Sequence, residues 1–194
     1  GIYCAIDFLT MTNVTISGNI SNNAGGGICI YGSPTMTNVV ISGNIANGYG
    51  GGGIYLGNGS PTMTNVIISE NISNNAGGGI FANGSGSPTM TNVTISGNTV
   101  SGDGSGIYIL NCTPTITNSI IAHNTGSYGI YRESGNPSIT YSDLYNSQNG
   151  NFYNIGIYVG VNVTTNANGD SIDAYNNIQL DPNFVNVAND DYHL

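Results

Sequence analysis

The segment SPTMTNV occurs three times without a change, at residues 33–39, 60–66 and 87–93, and a looser TPTITNS follows at 113–119. The residue that opens each such segment is Leu9, Pro34, Pro61, Pro88, Pro114 and Pro137 in turn, giving spacings of 25, 27, 27, 26 and 23 residues. A second marker keeps step: Ile2, Ile28, Ile54, Ile80, Ile107, Ile130 and Ile157 each follow a glycine. Self-similarity at a period of roughly 20–50 residues marks a solenoid, in which each repeat contacts only its neighbours. The repeat therefore decides the architecture before any single residue is weighed.

Inside one repeat the apolar period is two. In PTMTNVVIS, Met36, Val39 and Ile41 form an inward set, while Thr35, Thr37, Val40 and Ser42 face outward and Asn38 bends the chain between two short strands. A third strand follows the glycines in GGGIYLG, with Ile54 and Leu56 inward and Tyr55 outward. Three short strands and their turns use up the repeat, and no segment has helical spacing long enough to bridge them.

One such coil cannot bury its own apolar face. Stacking the next coil about 4.8 Å above it pairs strand with strand in parallel and closes a core. Met11, Met36, Met63, Met90 and Ile116 then form one inward column, and Ile16, Ile41, Ile68, Ile95 and Ile121 another. Asn13, Asn38, Asn65, Asn92 and Asn118 make a ladder at one corner, and Asn19, Asn44, Asn71, Asn98 and Asn124 a second, in which side-chain amides bond up and down the stack. The expected fold is an all-β, single-stranded parallel β-helix with three short strands per coil, six to seven coils and a C-terminal cap.

Composition narrows the partners. Only 6% of the 194 residues are charged, there is no Lys, Arg132 is the one basic side chain, and the net charge is -9, which argues against nucleic acid and anionic lipid. A neutral, cationic or calcium-bridged partner remains. The 39% hydrophobic content argues for a packed core, and no apolar run reaches membrane-spanning length. Cys4 and Cys29 fall at about the same place in successive repeats, close enough to meet, while Cys112 lies three repeats on; with no Cys-x-x-Cys or Cys/His cluster, all three read as isolated small apolar residues.

The rhythm G-G-G-I-Y, then S-P-T-M-T-N-V, then x-I-S-G-N, resembles the right-handed parallel β-helix repeats of the pectate-lyase-like superfamily, especially its secreted and surface-displayed bacterial members. The resemblance covers residues 1 to about 146, and the tail 177–194 is similar to a segment that closes such helices. It implies a repeat domain over 1–160, a capping segment of the same domain over 161–194, right-handed winding and an extracellular or cell-surface location. Gly1 enters in the middle of a coil, which leaves room for a further coil or domain before it.

The resemblance also implies polysaccharide chemistry, yet the motifs for it are missing. Lyases of that superfamily use a basic residue with calcium-holding acids, and its hydrolases group aspartates with Arg-x-Lys and His; this chain has no Lys and no Asp-Asp pair in the repeats. The best remaining catalytic candidates are His123, Arg132, Glu133 and Asp143, in neighbouring coils where the repeat turns irregular. Against that, Arg132 and Glu133 read equally as turn residues, and His123 takes the corner held by Gly18, Gly43, Glu70 and Gly97. NANGDSID places Asn166, Asn168, Asp170 and Asp173 in one loop, an oxygen-rich set suited to calcium but without the full twelve-residue signature. No other cofactor is expected. Sequons such as those at Asn13, Asn71 and Asn92 follow from composition.

The outward columns are more informative. One carries Tyr3, Cys29, Tyr55, Phe81, Tyr108, Tyr131 and Tyr158, which can dock sugar rings or simply stabilise the sheet. A second, Thr15, Val40, Ile67, Thr94, Ile120 and Asp143, is too varied for a periodic ligand. A third pairs Thr10 with Thr12, Thr35 with Thr37, Thr62 with Thr64, Thr89 with Thr91, Thr115 with Thr117 and Ser138 with Thr140. At about 6.7 Å along the strand and about 4.8 Å between rungs, this uncharged grid resembles the Thr-x-Thr arrays of β-solenoid ice-binding proteins, although Thr is also an ordinary strand residue. The expected function is a non-catalytic secreted or cell-surface module acting as adhesin, stalk or matrix component. An ice-binding protein is the alternative, and a polysaccharide lyase or hydrolase the third reading. A glycan or an ice surface is the expected partner. End-to-end self-association through unpaired strand edges is also expected.

Overall fold

Met11, Met36, Met63, Met90, Ile116 and Ile139 stand directly over one another, each paired in parallel register with its counterpart one coil away. They are almost fully buried, as are Ile16, Ile41, Ile68, Ile95, Ile121 and Leu144 in the neighbouring column. The structure, a computed structural model, describes residues 1–145, 147–156 and 159–184. Within them the chain is a parallel β-solenoid of about six turns, and every regular element is a strand.

Three parallel sheets run along the axis. The first stacks Ile2–Cys4, Ile28–Ile30, Ile54–Leu56, Ile80–Asn83, Ile107–Leu110, Ile130–Arg132 and Phe152–Tyr153. The second carries the threonine segments, and in two coils its halves fuse into the eight-residue strands Thr35–Ser42 and Thr62–Ser69, with Asn38 and Asn65 bending them at φ near +53° and +54°. The third sheet is a fourth strand per coil that the expected three did not include: Ile20–Ser21, Ile45–Ala46, Ile72–Ser73 and Thr99–Val100. It forms because the residues after each buried Asn run extended against the same stretch of the next coil.

The buried Asn ladder holds this corner. Asn71 Nδ2 donates to the Ile41 carbonyl at 2.9 Å and to Asn98 Oδ1 at 3.0 Å, while its own Oδ1 accepts from the Asn44 backbone N–H and from Asn44 Nδ2. All four bonds lie in an interior with no solvent exposure. The other ladder is exposed, and its side-chain bonds link Asn13, Asn38, Asn65 and Asn92. Each of its residues, like Asn118, sits in the left-handed region, which Asn tolerates better than other side chains.

Close packing of coil on coil explains the repeated glycines. Gly51 turns the chain at φ +71°, a Cβ on Gly52 would lie 2.3 Å from the Gly78 carbonyl oxygen, and a Cβ on Gly53 would press on Asn71 Nδ2 and Ile68 Cγ2 at 3.0 Å. Three different contacts thus exclude a side chain at three consecutive positions.

The register corrects three expectations. Cys4 pairs with Ile30, and Cys29 with Tyr3, so the two cysteines are one position apart and face opposite sides of the sheet, Cys4 into the core and Cys29 outward. All three cysteines are free. The seventh rung of the first sheet is Phe152–Tyr153, not Ile157 and Tyr158, which lie outside the described residues; the shortened last coils bring the chain back to the sheet early. Arg132 is not a turn residue but pairs with Ile109 at the inward position that Ile30, Leu56, Ala82 and Ile109 hold in earlier coils. Its Nη1 donates to the Asn154 carbonyl at 2.9 Å.

Beyond the coils, Thr164–Thr165 and Ser171–Ile172 form an antiparallel hairpin, and the following segment lies on the last rung of the threonine sheet. Leu144 N–H donates to the Ile178 carbonyl, Ile178 N–H to the Ser142 carbonyl, and Asn177 Nδ2 to the Ile139 carbonyl. Asp173, nearly fully buried, anchors this segment by accepting from Gly160, Tyr175 and Asn177. Replacing Asn71 with Ala strands several buried polar groups at about 1–3 kcal/mol each. Asn71→Ala is therefore expected to cost more than about 3 kcal/mol in urea unfolding, against less than about 1 kcal/mol for Asn65→Gly in the exposed ladder, where glycine suits the positive φ.

Candidate binding face

On the first sheet, period-two alternation points Tyr3, Cys29, Tyr55, Phe81, Tyr108, Tyr131 and Tyr153 to the outside in unbroken register. Apart from Cys29 each carries a ring, and the geometry of the ring contacts changes along the axis. Tyr55, Phe81 and Tyr108 meet edge to face at 5.4 and 5.0 Å, which tucks Tyr55 and Phe81 down to 9% and 8% exposure. Tyr108, Tyr131 and Tyr153 stack nearly parallel at 5.3 and 4.6 Å, with Tyr128 leaning on Tyr131 and Tyr153. Glu133 accepts a hydrogen bond from the Tyr108 hydroxyl. Burial, together with Glu133, holds the Tyr108 phenol well above its ordinary pKa.

Cys29 leaves a gap in this ladder, and Tyr31 fills it. Two residues on and on the same outward side, its ring lies 5.9 Å from both Tyr3 and Tyr55. Ring surface is therefore open at the two ends of the ladder, at Tyr3 (69% exposed) and Tyr31 (45%) and again at Tyr153 (44%), and closed in the middle, where Tyr55 and Tyr108 pack on Phe81. Tyr31 was within reach of the sequence, since period two puts it beside Cys29. Tyr49, which rises from a loop to the same end of the ladder, carried no such signal.

The threonine columns keep full register. Thr10, Thr35, Thr62, Thr89, Thr115 and Ser138 form an exposed column. Thr12, Thr37, Thr64, Thr91, Thr117 and Thr140 form the parallel one, half-buried from Thr37 onward. No charged side chain interrupts either.

The four catalytic candidates are dispersed. Arg132 ends the strand Ile130–Arg132 and Glu133 follows it, the guanidinium on the Asn154 carbonyl and the carboxylate on Tyr108. His123 occupies the expected corner at φ +55°, with Asp181 3.5 Å from its Nε2 and Tyr145 and Phe184 packed near its ring. Asp143 pairs with Ile120 on the second sheet as expected, but Ile178 and Leu180 of the closing segment cover it, and it is 8% exposed. In the oxygen-rich loop, Asn166 Nδ2 donates to Asp170, and Asn166 Oδ1 accepts from the Asn168 and Asp170 N–H groups. Asp173 spends its oxygens on N–H donors of the closing segment. Among the described residues no three His, Cys, Asp or Glu side chains gather as metal ligands.

A family model described as right handed beta helix region matches residues 1–186. No curated protein and no solved structure matches the chain.

Asp143 supplies a pH signature. Burial raises its pKa from 3.8 to about 6, opposed by the N–H bonds of Leu180 and Leu144 and reinforced by the nearby Asp181 carboxylate. A carboxyl whose pKa is higher in the folded state binds its proton more tightly there, so its stabilising effect is complete below about pH 4 and is lost as pH rises through about 6. The gap corresponds to roughly 3 kcal/mol. Asp143→Asn, which keeps the acceptor for Leu180, is expected to stabilise the protein at pH 7 and to flatten the pH 4–7 profile of the urea midpoint relative to the unsubstituted chain.

Proposed function

The chain belongs to the right-handed β-helix family, and from that premise we propose that it is a non-catalytic surface module, secreted or displayed outside the cell, that adheres to glycan through its aromatic sheet. The observation that carries this reading is the column of outward positions in register over seven rungs, six of them rings, with exposed ring surface at Tyr31 and Tyr153. Aromatic faces pack on the C–H faces of sugars, while phenol hydroxyls and amides meet sugar hydroxyls. The acidic, nearly uncharged surface supports adhesion over catalysis. Among its ionisable candidates, Arg132 and Glu133 are bonded to Asn154 and Tyr108, Asp143 is covered by the closing segment, and His123 lies at a corner beside Asp181.

The threonine sheet supports a second reading. Two uncharged columns in register over six rungs match what ordered water at an ice surface would meet, and this makes an ice-binding protein of the secreted β-solenoid kind the alternative. The two readings use different faces and separate cleanly. Binding to a panel of polysaccharides, measured by affinity electrophoresis, is expected for the native chain and should fall at least about tenfold when Tyr3, Tyr31 and Tyr153 are all replaced by Ser. A panel left wholly unbound removes the adhesion reading. Ice-crystal shaping that survives the Tyr substitutions but disappears in a Thr37→Tyr, Thr64→Tyr variant would put the function on the threonine face.

A further inference from the structure

Two carboxylates border the stacked half of the aromatic row. Asp103 lies in the bend before Ile107–Leu110 and accepts from Ser127 Oγ at 3.0 Å, and Glu133 follows Ile130–Arg132 and accepts from the Tyr108 hydroxyl. One precedes the sheet and the other leaves it, so they stand at its two margins. Burial lifts the pKa of the Tyr108 and Tyr131 phenols, and both carboxylates reinforce the rise at each ring, so the two acids act on one pair of tyrosines. Both acids are exposed, and among the described residues neither is ion-paired. Arg132, the one Lys or Arg of the chain, holds the inward position of its strand with Nη1 on the Asn154 carbonyl. Tyr108, Tyr131 and Tyr153 lie at 4° and 9° to one another and spend their ring faces on each other, which leaves ring edges and phenol oxygens to face outward.

Resting on the glycan reading above, we infer that this acid-bordered row binds sugars that carry a free amine, the protonated amino-sugar units of a cationic glycan. Charge complementarity selects that class. An ammonium has three donors and no acceptor, and it meets carboxylate and phenol oxygens here. The net charge of -9 draws a polycation to this face and repels an acidic glycan. A neutral sugar would reach the phenols but gain nothing from the two charges. The rungs advance by about 4.8 Å, close to the length of one pyranose in an extended chain, so successive sugars meet successive phenols. A basic peptide strand would find no open backbone edge. Ile107–Leu110 is paired with Ile80–Asn83 and Ile130–Arg132, and Ile130–Arg132 in turn with Phe152–Tyr153.

The test uses the whole chain and three ligands of one backbone. Oligomers of β-1,4-linked glucose, N-acetylglucosamine and glucosamine differ only in bearing a hydroxyl, an acetamide or an ammonium at C2. Isothermal titration is run at mildly acidic pH, where the sugar amines are protonated and exposed carboxylates are ionised, with an oligolysine peptide as a fourth ligand. The same panel is run on Asp103→Asn, Glu133→Gln, which keeps both acceptors and removes both charges. A control, Asp7→Asn, Glu70→Gln, removes two exposed charges elsewhere. Thermal unfolding checks that each variant is folded. Expected is binding of the glucosamine oligomer at least about tenfold tighter than of the other two sugars, a preference that falls below about twofold in Asp103→Asn, Glu133→Gln and persists in the control. Equal binding of all three sugars by the native chain overturns the inference and leaves glycan adhesion standing. A preference kept by Asp103→Asn, Glu133→Gln, or lost as fully in the control, overturns the site. Oligolysine bound as tightly as the glucosamine oligomer overturns the ligand class. No binding of any sugar overturns both this inference and the adhesion reading beneath it.

Discussion

Everything in this molecule depends on each coil laying its polar backbone on the coil beside it in one register. The buried Asn44, Asn71, Asn98 and Asn124 enforce that register, because each meets the amide of a neighbouring coil and donates to a carbonyl of an earlier one. A slip by one residue would turn the Met and Ile columns to water and leave the amides unpartnered in an apolar interior. The glycines before each Ile follow from this, since they must pass between the ladder and the next coil's carbonyls.

A fold held this way makes function a matter of faces. Any outward position is repeated about every 25 residues, so a column of like side chains arises wherever the repeat is faithful, and a cluster of unlike ones arises only where it fails. His123, Arg132, Glu133 and Asp143 come from the irregular coils; Arg132 and Glu133 stay together beside the aromatic sheet, while His123 lies at a corner and Asp143 under the closing segment. The same irregularity works differently at Cys29. There one small residue interrupts the aromatic column, and Tyr31 from the following bend sets its ring between Tyr3 and Tyr55.

Much of this was legible because stacking copies sequence spacing into space. The threonine, methionine, isoleucine and aromatic columns align as the period requires, and the corner that His123 shares with Gly18, Gly43, Glu70 and Gly97 is indeed a left-handed turn throughout. The errors came where spacing was ambiguous by a residue or where coil length changed. Cys4 and Cys29 differ by one position and thus by a face. Phe152 and Tyr153, rather than Ile157 and Tyr158, close the aromatic sheet after the coils shorten. Arg132, which reads from sequence either as a catalytic candidate or as a turn residue, instead ends a strand in register with Ile109 and sends its guanidinium to the Asn154 carbonyl.

The sequence by itself determined the parallel β-solenoid and its inward and outward columns, because period, alternation and composition are properties of the chain alone. Only the tertiary structure decided which rings are open and which are packed away, that Tyr31 steps into the place of Cys29, and that the closing segment buries Asp143. Those outcomes depend on side-chain volume and on contacts between loops of different coils, and no period in the chain encodes them.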